Sequence, residues 1–566
     1  MTADRLPSLQ PDQLRLMAGL FPDEIAYEIV PPAIESEGLI SDEVSVGPQA
    51  APRPELAVAA FTMTFAHWDG SSNALARSLA ARHVSAGDRV ALSLEPSNAL
   101  RWLVAYAGIH KAGAVAVPLN PRLAVAEVRR ALRHAGACAA ITEEALASEL
   151  LWPRSADQLS CPELRLVVNG SVDLSDPQEK LQEACAGSAR AARLEAATWG
   201  ELMEADRSDF QVHRSRDDLA DILYTSGTTG NPKGVAVRHG NASLLPTTKP
   251  KWTGRAWLHA SPFFTFAGIA FVYNPMKLGL RGIYMPRFDA KRWIEVVQRS
   301  RPKAVFLVPA MAQLLLSEPG FESADLSSIE LCSVGSAPLA PFVLERLQDR
   351  MPAALVSNNY GMTEAGSAYC MMPKGEAVRR PGSVGKPMAP AEVKCVAPDG
   401  AEVATGEVGE VWLRVPGRQR EYYGDLEATA ATWLDGWLRT GDLGRLDHDG
   451  YLYIVGRKKD VIIRGGNNVY AADVENAISS HPAVAEVAVI GIPHSVLGED
   501  LLAVVVLKPG ADVGPDQLRS HCLQALAGYK VPRRWIFTDE LPRNATGKVL
   551  KEVLRARYPD LLGGQS

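Results

Sequence analysis

The apolar run Leu219-Ala220-Asp221-Ile222-Leu223 leads without a break into Tyr224-Thr225-Ser226-Gly227-Thr228-Thr229-Gly230-Asn231-Pro232-Lys233-Gly234-Val235. A buried strand that empties into a turn of glycines, hydroxyls and a lysine restricts what surrounds it. Successive backbone N–H groups in such a turn form an anion-binding concavity, and the hydroxyls and Lys233 add donors and positive charge. The chemistry suits a polyphosphate. It is not the Walker A spacing, because Pro232, Lys233 and Gly234 stand where Gly-Lys-Ser/Thr is required. ATP held here is held differently from the P-loop NTPases.

The turn sits within a longer alternation of strand and helix patterns. Asp88 to Leu94 reads as a buried strand, Asn98 caps a helix running through Lys111, and Ala114 to Pro118 is a strand again. Ala304 to Val308 repeats the pattern before a helix that starts near Ala310. Strands separated by helical segments imply βαβ units and a parallel sheet. Pro31 to Pro54 and Cys161 to Ala196 read as surface loops or insertions, the second with some helix. Beyond Arg457 the texture changes to a small α+β unit, with a helix over Ala472–Ser480 and strands over Val484–Ile492 and Leu501–Leu507. A further helix over Asp516–Leu526 puts Leu518, Cys522, Leu523 and Leu526 on one face. The charged, Gly-led junction Gly456-Arg457-Lys458-Lys459-Asp460 suits a hinge. The expected fold is α/β, with a large N-terminal domain of β-sheets flanked by helices (1–458) and a small mobile α+β domain (459–566).

At 566 residues the chain is too long for one core. Its net charge of −6 is spread without blocks of one sign, which argues against a nucleic-acid partner. Met1 to Gln13 lacks a signal-peptide pattern, and no run approaches the ~20 apolar residues of a membrane span. The seven cysteines are scattered without a Cys-x-x-Cys pair, as in a reducing compartment. A cytoplasmic location is expected.

Three further motifs carry chemistry. Asn358-Asn359-Tyr360-Gly361-Met362-Thr363-Glu364 combines an aromatic face for a purine, hydrogen-bonding amides and a carboxylate suited to Mg²⁺. Leu438-Arg439-Thr440-Gly441-Asp442-Leu443-Gly444 offers an Asp to two ribose hydroxyls, although an Asp in such a turn also bonds its own backbone. Leu541-Pro542-Arg543-Asn544-Ala545-Thr546-Gly547-Lys548-Val549 presents a lysine on a tight loop.

Together these residues resemble the adenylate-forming superfamily of acyl- and aryl-CoA synthetases, peptide-synthetase adenylation domains and beetle luciferases, most of all the fatty-acyl-CoA synthetases. The likeness runs from about Asp23 to Arg557 and includes Val334 to Leu339, Gly382 to Pro387 and Arg457 to Asp460. It implies that Thr225, Ser226, Gly227, Thr228, Thr229, Gly230 and Lys233 hold the β- and γ-phosphates of ATP. Adenine lies near Ser336, Ala337, Pro338 and Tyr360, with Asn359 at its edge, and Gly361 also belongs to the cofactor-binding set. Thr363 touches the α-phosphate, Glu364 binds Mg²⁺, and Asp442 and Arg457 hold the ribose. Lys548 bridges the substrate carboxylate and the α-phosphate. Because the carboxylate is already ionised near neutral pH, catalysis reduces to alignment and charge neutralisation. In the second half-reaction the C-terminal domain turns about Lys459, and Arg464 to Tyr470, with Gly465 and Gly466, lines the path of the CoA pantetheine.

The segment Pro262-Phe263-Phe264-Thr265-Phe266-Ala267-Gly268 is expected to face the acid, with Phe263, Phe264, Thr265 and Gly268 in its pocket; core packing is the alternative for these phenylalanines. No acidic residue lies between Leu258 and Asn274, so a buried substrate ammonium would go unpaired. A hydrophobic carboxylic acid is favoured over an amino acid. Thr265 stands where many relatives carry His, and Ala471 where Pro is common. The expected activity converts ATP, the acid and CoA to acyl-CoA, AMP and pyrophosphate. The alternatives are transfer to a carrier-protein phosphopantetheine, lactone formation, or a non-catalytic nucleotide-binding module. The intact set Lys233, Glu364, Asp442, Arg457 and Lys548 argues against the last.

Overall fold

The computed structural model describes residues 9–31, 61–151, 163–169, 194–225, 233–243, 245, 249–337, 339–417, 419–544 and 547–558. The Pro31–Pro54 segment beyond Pro31 therefore lies outside the described residues. The chain divides into two compact units, one of residues 1–222 and 245–302, the other of residues 223–244 and 303–566. The architecture is α/β, as expected. The 458/459 boundary falls inside the second unit.

In the first unit a parallel sheet runs Glu195–Thr198, Leu166–Asn169, Ala137–Thr142, Arg89–Ser93, Val115–Pro118, and Val115–Pro118 pairs onward through Ala116 with Asp221. Its strands are near-continuous buried runs, as a sheet covered on both faces requires. The expected strands of this region are present. Leu166–Asn169, read from sequence as loop, is instead a fully buried strand. Asn98 precedes the Ala99–Lys111 helix without capping it, and its amide donates to Glu143 Oε1 at 2.9 Å. In the same unit Ile25–Ile29 pairs in parallel with Arg281–Tyr284, which pairs in parallel with Ala256–His259. Aromatic rings fill the space beneath.

In the second unit Ala304–Leu307, Leu331–Gly335 and Leu355–Met362 are parallel neighbours. The sheet continues antiparallel through Gly366–Met371, Ser383–Pro387, Leu452–Arg457, Trp437–Leu446, Gly409–Arg414 and Glu392–Val396. The C-terminal residues form a separate five-stranded sheet centred on Gly498–Leu507. Alternation along that strand sends Leu501, Ala503 and Val505 to one core and Leu502 and Val504 to another. The helix expected over Asp516–Leu526 is Pro515–Ala525, with Leu518 and Cys522 buried but Leu523 half exposed, so its apolar face is narrower than the spacing suggested. Among the described residues no helix is long and apolar enough to cross a membrane. The five described cysteines are all buried with free thiols.

Candidate active site

Strand ends in the second unit gather the predicted nucleotide-site residues. Leu331–Gly335 finishes at Ser336, which adopts φ +75°. A left-handed non-glycine residue is uncommon and costs backbone energy, and such residues cluster at functional sites. Ala337 follows it, and Pro338 lies outside the described residues. Asn359, Tyr360 and Gly361 belong to the neighbouring strand, where Asn359 pairs with Gly335 and accepts a hydrogen bond from Ser357 Oγ at 2.7 Å.

Tyr360 donates its hydroxyl to Asp442 Oδ2 at 2.7 Å, and Arg457 Nε lies 3.0 Å from Asp442 Oδ1. Antiparallel pairing of their strands sets Asp442 directly opposite Arg457. Both carboxylate oxygens are thus engaged by donors in a nearly buried setting. Burial and the neighbouring Asp442 charge push the Tyr360 phenol well up, so it remains a donor.

Lys548 joins this group. Its loop is closed by hydrogen bonds from Lys548 N to Asn544 Oδ1 and from Gly547 N to Asn544 O, each 2.9 Å. Burial, with the Arg457 guanidinium alongside, lowers the Lys548 ammonium to about 8, while Asp442 and Asp460 act the other way. Tyr360 and Arg457 thus share Asp442, and Lys548 lies within range of the Arg457 and Asp442 charges. Lys459, the expected hinge, lies in a short 3₁₀ turn and pairs with Glu552 at 2.7 Å. Gly465 and Gly466, at φ +56° and +81°, form the two-residue turn between Val461–Arg464 and Asn467–Tyr470. Such a turn needs positive φ at both positions, which is a reason for glycine independent of any ligand.

Lys233 opens the strand Lys233–Arg238, and Thr225 closes the strand before it, its hydroxyl 3.5 Å from Lys233 O. Ser226, Gly227, Thr228, Thr229 and Gly230 lie outside the described residues. Thr363 and Glu364 occupy the turn after Met362, and Glu364 is buried. Its Oε1 accepts the Tyr422 hydroxyl at 2.9 Å, and the Tyr422 ring carries Lys233 Nζ 4.7 Å from its centre. Arg420, also buried, donates to Thr363 O at 2.8 Å and Asn241 O at 2.6 Å. Tyr422 and Arg420 were not anticipated. The available signal was the cluster Arg420-Glu421-Tyr422-Tyr423 ahead of a Gly-Asp turn.

In the first unit Phe263 is buried against Trp102, stacked at 5.0 Å between centroids, and against Tyr284 at 4.5 Å. Phe264 is half-buried and lines a small crevice with Leu94, Glu95, Trp102 and Tyr284. Thr265 caps the Phe266–Lys277 helix, its Oγ1 accepting from Gly268 N at 3.0 Å and donating to Pro262 O at 2.7 Å. A Cβ at Gly268 would lie 1.9 Å from Pro262 O, so only glycine fits this cap.

Comparison with known proteins identifies the family. The chain matches the AMP-binding enzyme family over residues 48–423 and the AMP-binding enzyme C-terminal domain over residues 473–548. It is 35% identical over 502 residues to a feruloyl-CoA synthase of an Amycolatopsis species, covering 88% of this chain and 94% of that one. It is 33% identical over 501 residues to a long-chain-fatty-acid–CoA ligase of Mycobacterium tuberculosis, covering 88% and 93%. Among solved structures, an anthranilate CoA ligase in complex with anthranoyl-AMP superposes with a TM-score of 0.80 at 26% identity, covering 99% of each chain. The chain belongs to the AMP-binding enzyme family, the adenylate-forming superfamily that its motifs resemble, and is an acid–thiol ligase of the acyl-CoA synthetase kind.

Proposed function

We propose that this enzyme joins a hydrophobic carboxylic acid, aryl or fatty, to CoA through an acyl-adenylate. The observation that carries the reading is the grouping of Lys548 with Asp442, Arg457 and Tyr360 in one partly buried site. A substrate carboxylate oxygen attacks the α-phosphorus of ATP, and the bond to the pyrophosphate leaving group breaks. Lys548 brings the two anions together, Asp442 and Arg457 hold the ribose, and Tyr360 offers its ring to adenine. Lys233 neutralises phosphate charge. Positioned charges of this kind need no reorganisation as the reaction proceeds.

Glu364 fits a magnesium site. It is a buried carboxylate with one oxygen engaged by Tyr422, and no cluster of three or more metal-binding side chains occurs among the described residues. Mg²⁺ is commonly held by one or two carboxylates together with substrate phosphates. When bound, the ion would neutralise charge on the polyphosphate. In the second half-reaction the CoA sulfur attacks the acyl carbon and AMP leaves. We assign the boundary of the moving C-terminal domain to 458/459, with Lys459 as hinge and Gly465-Gly466 beside the pantetheine path.

The absence of any acidic residue between Leu258 and Asn274 supports a hydrophobic acid. The test is a panel of cinnamic, benzoic and fatty acids with Mg²⁺-ATP, with and without CoA, read by pyrophosphate release and thioester mass. CoA-dependent thioester with aryl or fatty acids is expected. Pyrophosphate release without a CoA adduct would overturn the choice of CoA as acceptor, and preference for amino acids would overturn the choice of acid.

A further inference from the structure

Tyr422 touches both Lys233 and Glu364. Its hydroxyl donates to Glu364 Oε1 at 2.9 Å, and the face of its ring lies under Lys233 Nζ at 4.7 Å from the centre. A ring face attracts an ammonium within about 6 Å of its centre. The backbone around Tyr422 is fixed to the strand that Lys233 opens. Val235 and Tyr422 form an antiparallel bridge, Ala236 N donates to Glu421 O at 2.8 Å, and Tyr423 N donates to Gly234 O at 2.7 Å. On the other side the Arg420 guanidinium, 2% exposed as a residue, ties Thr363 O to Asn241 O. This is more fastening than a tyrosine that merely fills space requires.

We propose that Tyr422 is a positioning residue that orients the Glu364 carboxylate for a divalent cation and holds the Lys233 ammonium in register with it. The inference rests on the roles given above to Glu364 and Lys233. Mg²⁺ demands near-ideal octahedral geometry, so a single carboxylate serves it well only if its free oxygen points one way. With Oε1 held by the phenol, Oε2 is the oxygen left for the ion.

The test is Mn²⁺ binding followed by electron paramagnetic resonance, with and without a non-hydrolysable ATP analogue, in the full-length wild type, Tyr422→Phe, Tyr422→Leu and Glu364→Gln. Tyr422→Phe keeps the ring and should weaken nucleotide-dependent Mn²⁺ binding about tenfold, with metal-free analogue affinity unchanged. Tyr422→Leu should weaken both, since Lys233 loses its ring. In the Glu364→Gln background, Tyr422→Phe should have no further effect. Wild-type Mn²⁺ affinity in Tyr422→Phe, or fully additive losses in the double variant, overturns the inference alone. A wild type with no nucleotide-dependent Mn²⁺ site overturns the role of Glu364 and the inference with it.

Discussion

Asp442 and Arg457 face each other across two antiparallel strands, with Arg457 Nε 3.0 Å from Asp442 Oδ1. The same carboxylate accepts the Tyr360 hydroxyl, so one side chain orients the proposed ribose contact and the proposed adenine platform together. Asp442→Asn removes the charge that both donors address. We expect the KM for ATP to rise about 10- to 100-fold, in line with the ~1.5–3 kcal/mol of hydrogen bonds to charged groups. Initial rates of pyrophosphate release against ATP concentration check this, and an unchanged KM would remove Asp442 from the nucleotide site.

Lys548 makes a pH prediction. Its ammonium is lowered to about 8, so in the free enzyme the charged form is lost as pH rises through that value. The kcat/KM of adenylation, which reports the free enzyme, should therefore fall above about pH 8. Lys548→Arg should abolish that limb, because guanidinium stays protonated. Lys548→Ala should cost about 10²–10³ in adenylation rate. The same depression has a stability sign. The unfolded chain binds the proton more tightly, so the group burdens the folded state below about pH 8, and the burden disappears towards pH 10.5. Lys548→Met should raise the melting temperature at pH 7, with the gain shrinking as pH climbs.

Gly466 separates two causes of glycine. Nothing lies within 4 Å of a Cβ there, yet its φ is +81°. Gly466→Ala should cost about 1 kcal/mol through backbone strain alone. A bulky residue such as Gly466→Trp should also block thioester formation while sparing adenylation. Single-turnover measurement of the two half-reactions decides, and equal losses in both would contradict the assignment of this turn to the thiol path.

Phe263 and Phe264 should behave differently despite their adjacency. Phe263 is buried among rings, so Phe263→Ala should cost about 3–5 kcal/mol. Phe264 is half-buried beside the crevice, and Phe264→Ala should shift the preferred acid with little loss of stability. Chemical denaturation and the acid panel together distinguish the two. A stable Phe263→Ala would mean that its ring is not core.

Much of the fold was legible because its strands are long apolar runs and its helices keep their spacing. Arg89–Ser93, Val115–Pro118, Ala304–Leu307 and the C-terminal helices fall within a residue or two of expectation. Leu166–Asn169 escaped because a four-residue run amid polar sequence has no periodicity to mark it. Leu523 was misplaced on the core face, since spacing sets the direction of a side chain and not how far the core extends.

The motifs determined the family and the kind of chemistry, because glycines, hydroxyls, carboxylates and lysines act through local character that sequence states outright. Only the tertiary structure decided which of these groups meet. Strand register put Asp442 opposite Arg457, a bridge between distant segments slid Tyr422 between Lys233 and Glu364, and the packing of Thr265 against Pro262 made Gly268 a steric necessity. Contacts of this kind depend on long-range pairing and close packing, which no short stretch of sequence contains.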